Sequence, residues 1–268
     1  MSWPFETSEP YVTPAHVVEL QRQRLGLSPE AFALPPTLVA TFQRLAYERL
    51  LQRAGLGGDS AQAPGSGGNG SLGERAVGEV DGVPVALARI TVGAPAAALV
   101  LEQAIARGVR HVLVVGSAGS LQPHLPLGST VVVEGAERED GTSHHYLPAG
   151  EVVAADPLLT ALLEACAAAR GAAPVRGRAW TIDAPYRETT GGIQRHREAG
   201  VAVVEMEAAA IFAVARVRGV RAGLMVAVSD ELFDHTWNAG FDRDDYLAAL
   251  ERAADAAMDA AARLGSGG

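Results

Sequence analysis

Two glutamates flank a methionine where an apolar run gives way to an alanine-rich one. Glu205 and Glu207 follow the apolar residues 201–204 and precede residues 208–218, whose composition favours a helix. Side chains alternate along an extended backbone, so both carboxylates point to one side and repel each other. Bound hydroxyl groups, such as those of a sugar, would offset that repulsion. The structural alternative is one glutamate favoured by the dipole at a helix start, with the other in solvent.

An aspartate follows the most apolar predicted strand. Residues 222–228 read AGLMVAV, and Ser229 and Asp230 come directly after them. Loss of water around a carboxyl group at the mouth of a buried strand favours its protonated form, which suits a general acid. An aspartate that only begins a loop is the alternative, and the position by itself does not separate the two.

Small residues follow another predicted strand. Residues 116–120 read GSAGS after the apolar residues 111–115. Their amides and hydroxyls could donate hydrogen bonds to an anion or a sugar, and their size lets a ligand approach the backbone. A tight turn between strand and helix is the alternative. The nucleophile motif G-x-S-x-G is excluded, because Val115 stands where its first glycine would be.

Two further clusters could bind a ligand or a metal. Tyr186 and Arg187 follow a predicted strand and a proline, and such a pair could stack on a heterocyclic base and hydrogen-bond to it. An ordinary loop with a surface arginine is the alternative. His144 and His145 are adjacent, so they would point to opposite faces of a strand, and no third ligand has zinc spacing. We therefore expect no metal.

The composition excludes several classes of protein. The chain has 268 residues, 48% of them hydrophobic, and a net charge of −9, which is typical of a globular protein with a sizeable core. All basic residues are arginine, so a Schiff-base lysine and a Walker A lysine are absent. The acidic balance argues against nucleic acid or membrane as a partner. The lone Cys166, together with the lack of a signal peptide, predicts a cytoplasmic protein.

Strand-like and helix-like segments alternate along most of the chain. This pattern predicts an α/β domain with a largely parallel sheet, whose ligands would sit at the carboxyl ends of the strands. Residues 1–35 are predicted to be an N-terminal extension, and residues 36–268 the domain. Residues 55–73 predict a flexible loop; its literal G-x-G-x-x-G, at Gly65, Gly67 and Gly70, is followed by a hairpin at Asp81-Gly82 rather than by a helix.

Taken together, these motifs resemble the nucleoside phosphorylase-I superfamily, which comprises purine and uridine nucleoside phosphorylases and related nucleosidases. The matching stretches read VDGVPVALARITVGAP, VLVVGSAGSLQ, WTIDAPYRE and VEMEAAAIFAVARVRGVRAGLMVAVSD. The resemblance implies a single-domain three-layer sandwich, with a twisted mixed β-sheet flanked by helices. It also implies a homo-oligomer built from dimers, such as a dimer or a trimer of dimers.

The resemblance also implies roles for individual residues in the sugar and base sites. Met206 and Glu207 would hold the ribose hydroxyls, Glu207 most directly, and Glu205 is a further substrate-binding candidate. Asp230 would protonate the purine N7 as the glycosidic bond breaks, with Arg243 helping to activate it. The other substrate-binding candidates are Gly93, Gly116, Ser117, Tyr186 and Arg187. The Ser-Asp pair at 229–230 is the pattern of the purine-specific members.

The phosphate site departs from the family pattern. The segment ATFQRLAYER lacks the glycine of the usual G-D-P-x-R-like stretch, and Val114-Val115 replace an arginine before the GSAGS turn. The arginine expected before the hairpin is out of register, and Arg75 is only nearby. Ser117, Arg44 and Arg89 are the remaining candidates for binding phosphate, a dianion that normally needs two or three cations.

Three functions follow from the resemblance and its departures. The first is a nucleoside phosphorylase, favouring purines, that uses inorganic phosphate as co-substrate and no cofactor. The second is a hydrolytic nucleosidase, in which Glu48 would orient water. The third is a nucleoside-binding protein without turnover. The substrate partners would be a small nucleoside and phosphate.

Overall fold

A computed structural model describes residues 5–56, 73–234 and 236–266. Within these residues the chain forms ten strands: β1 Thr37–Thr41, β2 Gly73–Val80, β3 Val83–Ile90, β4 His111–Ser120, β5 Thr130–Glu139, β6 Val153–Ala154, β7 Val175–Ile182, β8 Val203–Glu205, β9 Arg221–Glu231 and β10 Asn238–Ala239. The described helices are α1 Pro14–Leu25, α2 Pro29–Phe32, α3 Arg44–Arg53, α4 Ala94–Ala106, α5 Ser143–Tyr146, α6 Pro157–Ala169, α7 Thr190–Glu198, α8 Ala208–Arg218 and α9 Asp244–Ser266, with a single 3₁₀ turn at Pro185–Arg187.

The strands form one mixed sheet that closes on itself. The order is β10-β9-β5-β7-β8-β4-β1-β3-β2, and β9 also pairs with β4 in parallel. Strands β4, β9, β5, β7 and β8 therefore make a ring in which each strand has two paired neighbours, while β1, β3 and β2 extend from β4. The predicted twisted mixed sheet is confirmed, and the ring is a feature that the sequence pattern did not indicate.

Helices cover both faces of the sheet, as predicted for a three-layer sandwich. Alternate residues of β1, β3 and β4 face opposite layers, as the two-residue period of a strand requires. On one face, Leu38 and Val112 pack in a core with α4 and α8. On the other, Val39 and Leu113 pack with α3, α6 and the long α9. A small third cluster around Trp180 joins β7 and β8 to α7.

Most predicted elements are confirmed, with one systematic error. The hairpin turns at Asp81 and Gly82, whose positive φ angles of 50° and 76° suit a two-residue turn. The apolar runs of β4 and β9 predict strands that end at residues 115 and 228, but β4 continues to 120 and β9 to 231. Small and polar residues remain in the ladder because neighbouring strands pair with them across the ring.

The N-terminal segment contacts the domain. Thr13 caps α1 through the N–H of His16, as the Thr-Pro signal predicts, and α1 packs on α4. Most of the predicted flexible loop, with Gly65, Gly67 and Gly70, lies outside the described residues. Among the described helices, none is long and apolar enough to cross a membrane.

Candidate active site

A cavity of about 870 Å³ opens where β4, β8 and β9 end. Its volume is within the range of small-molecule sites. It is lined by Phe42, Gln43, Val92, Ser117, Ala118, Gly119, Pro185, Tyr186, Glu188, Thr190, Ile193, Gln194, Arg197, Val204, Glu205, Met206, Glu207, Ser229, Asp230, Leu232, Phe233, Asp234, Trp237 and Phe241. The residues predicted at three separate strand ends thus share one cleft.

Glu205, at the end of β8, is a buried carboxylate that the protein itself satisfies. Its Oε2 accepts hydrogen bonds from the backbone N–H groups of Glu207 and Ala208, each at 2.7 Å. Its Oε1 accepts a short hydrogen bond from the Thr181 hydroxyl. The carboxylate therefore caps the first turn of α8, where free N–H groups and the helix dipole favour an anion. Glu205 holds the helix start, and only part of it faces the cavity.

Glu207 is the second buried carboxylate of the pair. Its Oε1 accepts a hydrogen bond of 2.5 Å from the backbone N–H of Gly93, just before α4. Gly93 has a φ of +115°, a conformation that side chains disfavour, so this turn needs glycine. Burial and then the neighbouring Glu205 raise the pKa of Glu207 above its usual range. The alternative that places one glutamate of the pair in solvent does not hold, since both are at least nine-tenths buried.

Asp230 lies near the end of β9 and accepts one hydrogen bond on each carboxylate oxygen. The Ser229 hydroxyl donates to Oδ1 at 2.8 Å, and the Trp237 indole N–H donates to Oδ2 at 2.8 Å. The two-residue strand β10 pairs with the end of β9, which brings the adjoining Trp237 back to Asp230. The carboxylate is thereby fixed at the wall of the cleft.

The small residues of β4 have two different roles. Ser117 reaches the cavity, and its Oγ lies 2.6 Å from the Oη of Tyr246 in α9. Gly119 leaves room for the protein rather than for a ligand: an added Cβ would lie 2.3 Å from Leu232 and 3.2 Å from Asp230. Gly116 is not among the lining residues, and an added Cβ there would make an ordinary contact of 3.6 Å with Phe42.

The structure does not bring every predicted residue into the cleft. Tyr186 lines it and is fully exposed, whereas the neighbouring Arg187 is not among its lining residues. Arg243 donates to Asp245 at 2.9 Å, and Asp230 has Ser229 and Trp237 as its partners. The structure therefore offers no contact through which Arg243 would act on Asp230.

The two arginines predicted to bind phosphate are engaged with glutamates. Arg44 donates to Glu48 at 2.7 Å and is largely exposed, and Arg89 is paired with Glu74. Neither arginine lines the cavity. Arg75 is half-buried between β3 and α4 and also lies outside the cleft lining. Phosphate binding in this cleft therefore does not rest on a preformed cluster of arginines within the described chain.

The cleft is acidic. Its described lining contains five carboxylates and one cation, namely Glu188, Glu205, Glu207, Asp230, Asp234 and Arg197. Arg197 donates one hydrogen bond to the neutral Phe233 carbonyl, at 2.6 Å. In the part of the chain that is described, no cluster of His, Cys, Asp and Glu is placed to hold a metal ion. The charge pattern suits a ligand that presents hydroxyl and N–H donors.

Sequence reasoning missed several residues of the cleft. Glu188 carries a half-buried carboxylate, and burial followed by the charge of Asp230 raises its pKa to about 7. Trp237 and Phe241 form a tilted aromatic pair with ring centroids 6.1 Å apart. Tyr246 does not line the cleft but contacts the lining residue Ser117 from behind. Glu188 ends the stretch WTIDAPYRE but was not singled out there, and the Trp237 indole, seven residues after Asp230, was a visible donor.

Comparison with known proteins settles the family. A family model described as the phosphorylase superfamily matches residues 48–264. The chain belongs to the phosphorylase superfamily. This match includes every strand of the ring and every carboxylate of the cleft, and the resemblance drawn from the sequence motifs is confirmed.

Curated members of the superfamily include similar proteins. The uridine phosphorylase of Haemophilus influenzae is 28% identical over 166 residues, which cover 57% of this chain and 66% of that protein. The guanosine phosphorylase of Halorubrum lacusprofundi is 34% identical over 169 residues, which cover 62% and 69%. The chain thus spans about two thirds of the length of these superfamily members.

A solved structure supports the fold of this phosphorylase-superfamily chain. The purine nucleoside phosphorylase of Toxoplasma gondii, in complex with immucillin-H, superposes with a TM-score of 0.77. The match covers 90% of this chain and 95% of that one, at 19% identity. It confirms the phosphorylase-like α/β architecture.

Proposed function

We propose that this protein is a nucleoside phosphorylase that cleaves the N-glycosidic bond of purine nucleosides with inorganic phosphate and without a cofactor. The observation that carries the proposal is the single cleft shared by Glu207 and Asp230. One carboxylate is held where it can accept hydrogen bonds from a sugar, and the other where it can reach a base. The names of the relatives, uridine and guanosine phosphorylases, support the reaction class.

The proposed reaction passes through a sugar with oxocarbenium character. The C1′–N9 bond breaks and its electron pair goes to the base, while Asp230 transfers a proton to N7. An oxygen of phosphate forms the new bond at C1′ and gives ribose 1-phosphate. Glu207 accepts hydrogen bonds from the ribose hydroxyls and stabilises the positive charge that develops on the ring.

The preference for purines rests on Asp230. A purine has N7 as a proton acceptor beside its glycosidic bond, whereas a pyrimidine has no ring nitrogen at that place. Two hydrogen bonds orient the Asp230 carboxyl at the cleft wall. A general acid must be oriented in this way if its proton is to reach one atom of the base. Tyr186, Trp237 and Phe241 provide aromatic surface for the base.

The proposal also includes assembly into a homo-oligomer and a cytoplasmic location. Within the cleft, phosphate is proposed to bind near Ser117. Ser117 lines the cleft, and Tyr246 can orient its hydroxyl. Arg44 and Arg89 contribute only if they leave Glu48 and Glu74. The Arg44 side chain is 81% exposed and the Arg89 side chain 33% exposed. Breaking ion pairs with this much exposure to water costs little free energy.

Hydrolysis is the second candidate, and the acidic lining favours it. The carboxyl groups of the lining that are ionised repel a phosphate dianion, whereas water carries no charge. A hydrolytic enzyme would use the same Glu207 and Asp230 and would release free ribose. The two functions therefore differ in the nucleophile alone.

A nucleoside panel separates these functions. Inosine, guanosine, adenosine and uridine are incubated with the protein, with and without phosphate, and base and sugar products are separated by chromatography. The proposal expects purine release that depends on phosphate and yields ribose 1-phosphate. Free ribose without phosphate establishes the nucleosidase, and binding without base release establishes a non-catalytic protein.

A further inference from the structure

Asp230 has an unusual pair of hydrogen-bond donors. Ser229 precedes it on β9, but Trp237 comes from beyond the strand, next to β10. The indole N–H is a donor only, so the oxygen facing it must accept. The direction of this hydrogen bond is therefore fixed without any assumption about a rotatable hydrogen.

Trp237 also belongs to the cavity wall. Its ring lies against Phe241, and both side chains line the cleft and are more than half exposed to it and to solvent. Trp237 thus contacts the acid through its nitrogen and presents a ring to whatever occupies the base side of the cleft. No other described side chain does both.

We propose that Trp237 is the positioning residue of the acid, a role that rests on the proposed function. Its N–H, with the Ser229 hydroxyl, orients the Asp230 carboxyl and stabilises the negative charge left on it once the proton has passed to the base. A hydrogen bond to the anion lowers the energy of the products of proton transfer, so it strengthens the acid. Trp237 occupies the place at Asp230 that the sequence resemblance gave to Arg243.

The proposed step transfers one proton from Asp230 to the leaving base. Before transfer, Asp230 carries one proton on an oxygen lone pair that neither donor occupies. As the C1′–N9 bond breaks, that proton moves to N7 of the base. Asp230 then bears a full negative charge, which Ser229 and Trp237 share through their hydrogen bonds. No oxidant, metal or further reactant takes part.

The test uses two substrates that differ in their need for an acid. Inosine must be protonated at N7, whereas N7-methylguanosine already carries a positive imidazolium ring as its leaving group. Trp237→Phe keeps an aromatic ring and removes the N–H. We expect kcat on inosine to fall about 10-fold, the value of one charge-assisted hydrogen bond, with little change on N7-methylguanosine. Trp237→Ala also removes the ring that faces the base, so it should raise KM for both substrates.

A spectroscopic measurement complements the kinetics. The indole contacts both the acid and the cleft, so binding of hypoxanthine should change the tryptophan fluorescence of the wild type and not that of Trp237→Phe. Equal loss on both substrates, or unchanged kcat on inosine, overturns the proposal. So does a selective loss on inosine that is larger for Arg243→Gln than for Trp237→Phe. If the wild type itself cleaves no nucleoside, the proposed function fails instead.

Discussion

Glu207 and Gly93 are joined by a hydrogen bond of 2.5 Å from a backbone N–H to a carboxylate oxygen, across 114 positions of the chain. The bond ties the start of α8 to the start of α4, so it fixes a buried charge between two helix starts. Glu207 also lines the cleft, so the side chain that holds the two helix starts together faces the space where a ligand would lie.

Glu207→Gln keeps an acceptor for Gly93 but removes the charge. We expect kcat/KM to fall by about 10²-fold, because a neutral amide stabilises the developing sugar cation poorly. Since burial raises the pKa of Glu207, the wild type carries the cost of a buried charge at alkaline pH. Thermal unfolding at pH 9 should therefore show the variant at least as stable as the wild type. Lost activity together with lost stability would contradict this role.

Glu205→Ala should lower the stability of the fold, which Glu207→Gln is expected to retain. It removes the acceptor for two backbone N–H groups of α8 and for Thr181, and buried donors without partners are costly. The expected loss of unfolding free energy is about 2–3 kcal/mol. Urea denaturation measures it. Stability equal to the wild type would show that Glu205 does not hold the helix start.

Asp230→Asn should lose about 10²-fold or more in rate on inosine, because the amide cannot donate an acidic proton. The rate on N7-methylguanosine should be retained within a small factor, since that substrate needs no proton at N7. Initial rates of base release measure both. An equal loss on the two substrates would refute the acid role and leave Asp230 as a binding group.

Glu188 should make stability depend on pH. Its pKa is raised from 4.5 to about 7, so between these values the folded protein holds a proton that the unfolded chain releases. The free energy of unfolding therefore falls as pH rises through this window and levels off above it. Glu188→Gln should remove about 1 kcal/mol of this fall, after allowance for screening by water.

Denaturation at pH 5 and pH 8 measures the effect of Glu188→Gln. The exposed Glu79 of β2 lies outside the cleft lining, so Glu79→Gln serves as the matched control. A pH dependence that is the same in wild type and Glu188→Gln would contradict the raised pKa.

Tyr246→Phe tests the support of Ser117. The Ser117 and Tyr246 hydroxyl oxygens are 2.6 Å apart. Tyr246→Phe removes the phenolic hydroxyl, so the serine hydroxyl loses this partner and can rotate. We expect the KM for phosphate to rise several-fold with the KM for nucleoside nearly constant, and a loss of about 1 kcal/mol in stability. Tyr47→Phe, which removes a phenol from the same core, is the control. A rise confined to the nucleoside KM would move Ser117 to the sugar.

The sequence predicted what local patterns carry. The Asp81-Gly82 turn depends on neighbours in the chain, and the hairpin of β2 and β3 appears as expected. The lengths of β4, β5 and β9 depend on pairing across the ring, which no local pattern encodes. The predicted strands therefore end at the last apolar residue, short of the true strand ends.

The candidate site was predicted in the same partial way. Glu207 and Asp230 stand at strand ends, and strand ends converge in an α/β sheet, so their shared cleft could be expected. Trp237, Glu188 and Tyr246 enter from a short hairpin-like return, a loop and the last helix. Their place at the cleft follows from tertiary packing. Arg243 was predicted from its distance along the chain, whereas its observed partner is Asp245, two residues away.

The closed course of β4, β9, β5, β7 and β8 also bears on self-association through backbone pairing. Each strand of this ring has a paired neighbour on both sides, so the described sheet presents its open borders at β2, at β10 and at the two-residue β6. β2 carries exposed Glu74 and Glu79 beside the exposed Val77. Charges on such a border discourage pairing with the edge strand of another chain. β8 and β9, which carry Glu205 and Asp230, are paired on both sides within the ring.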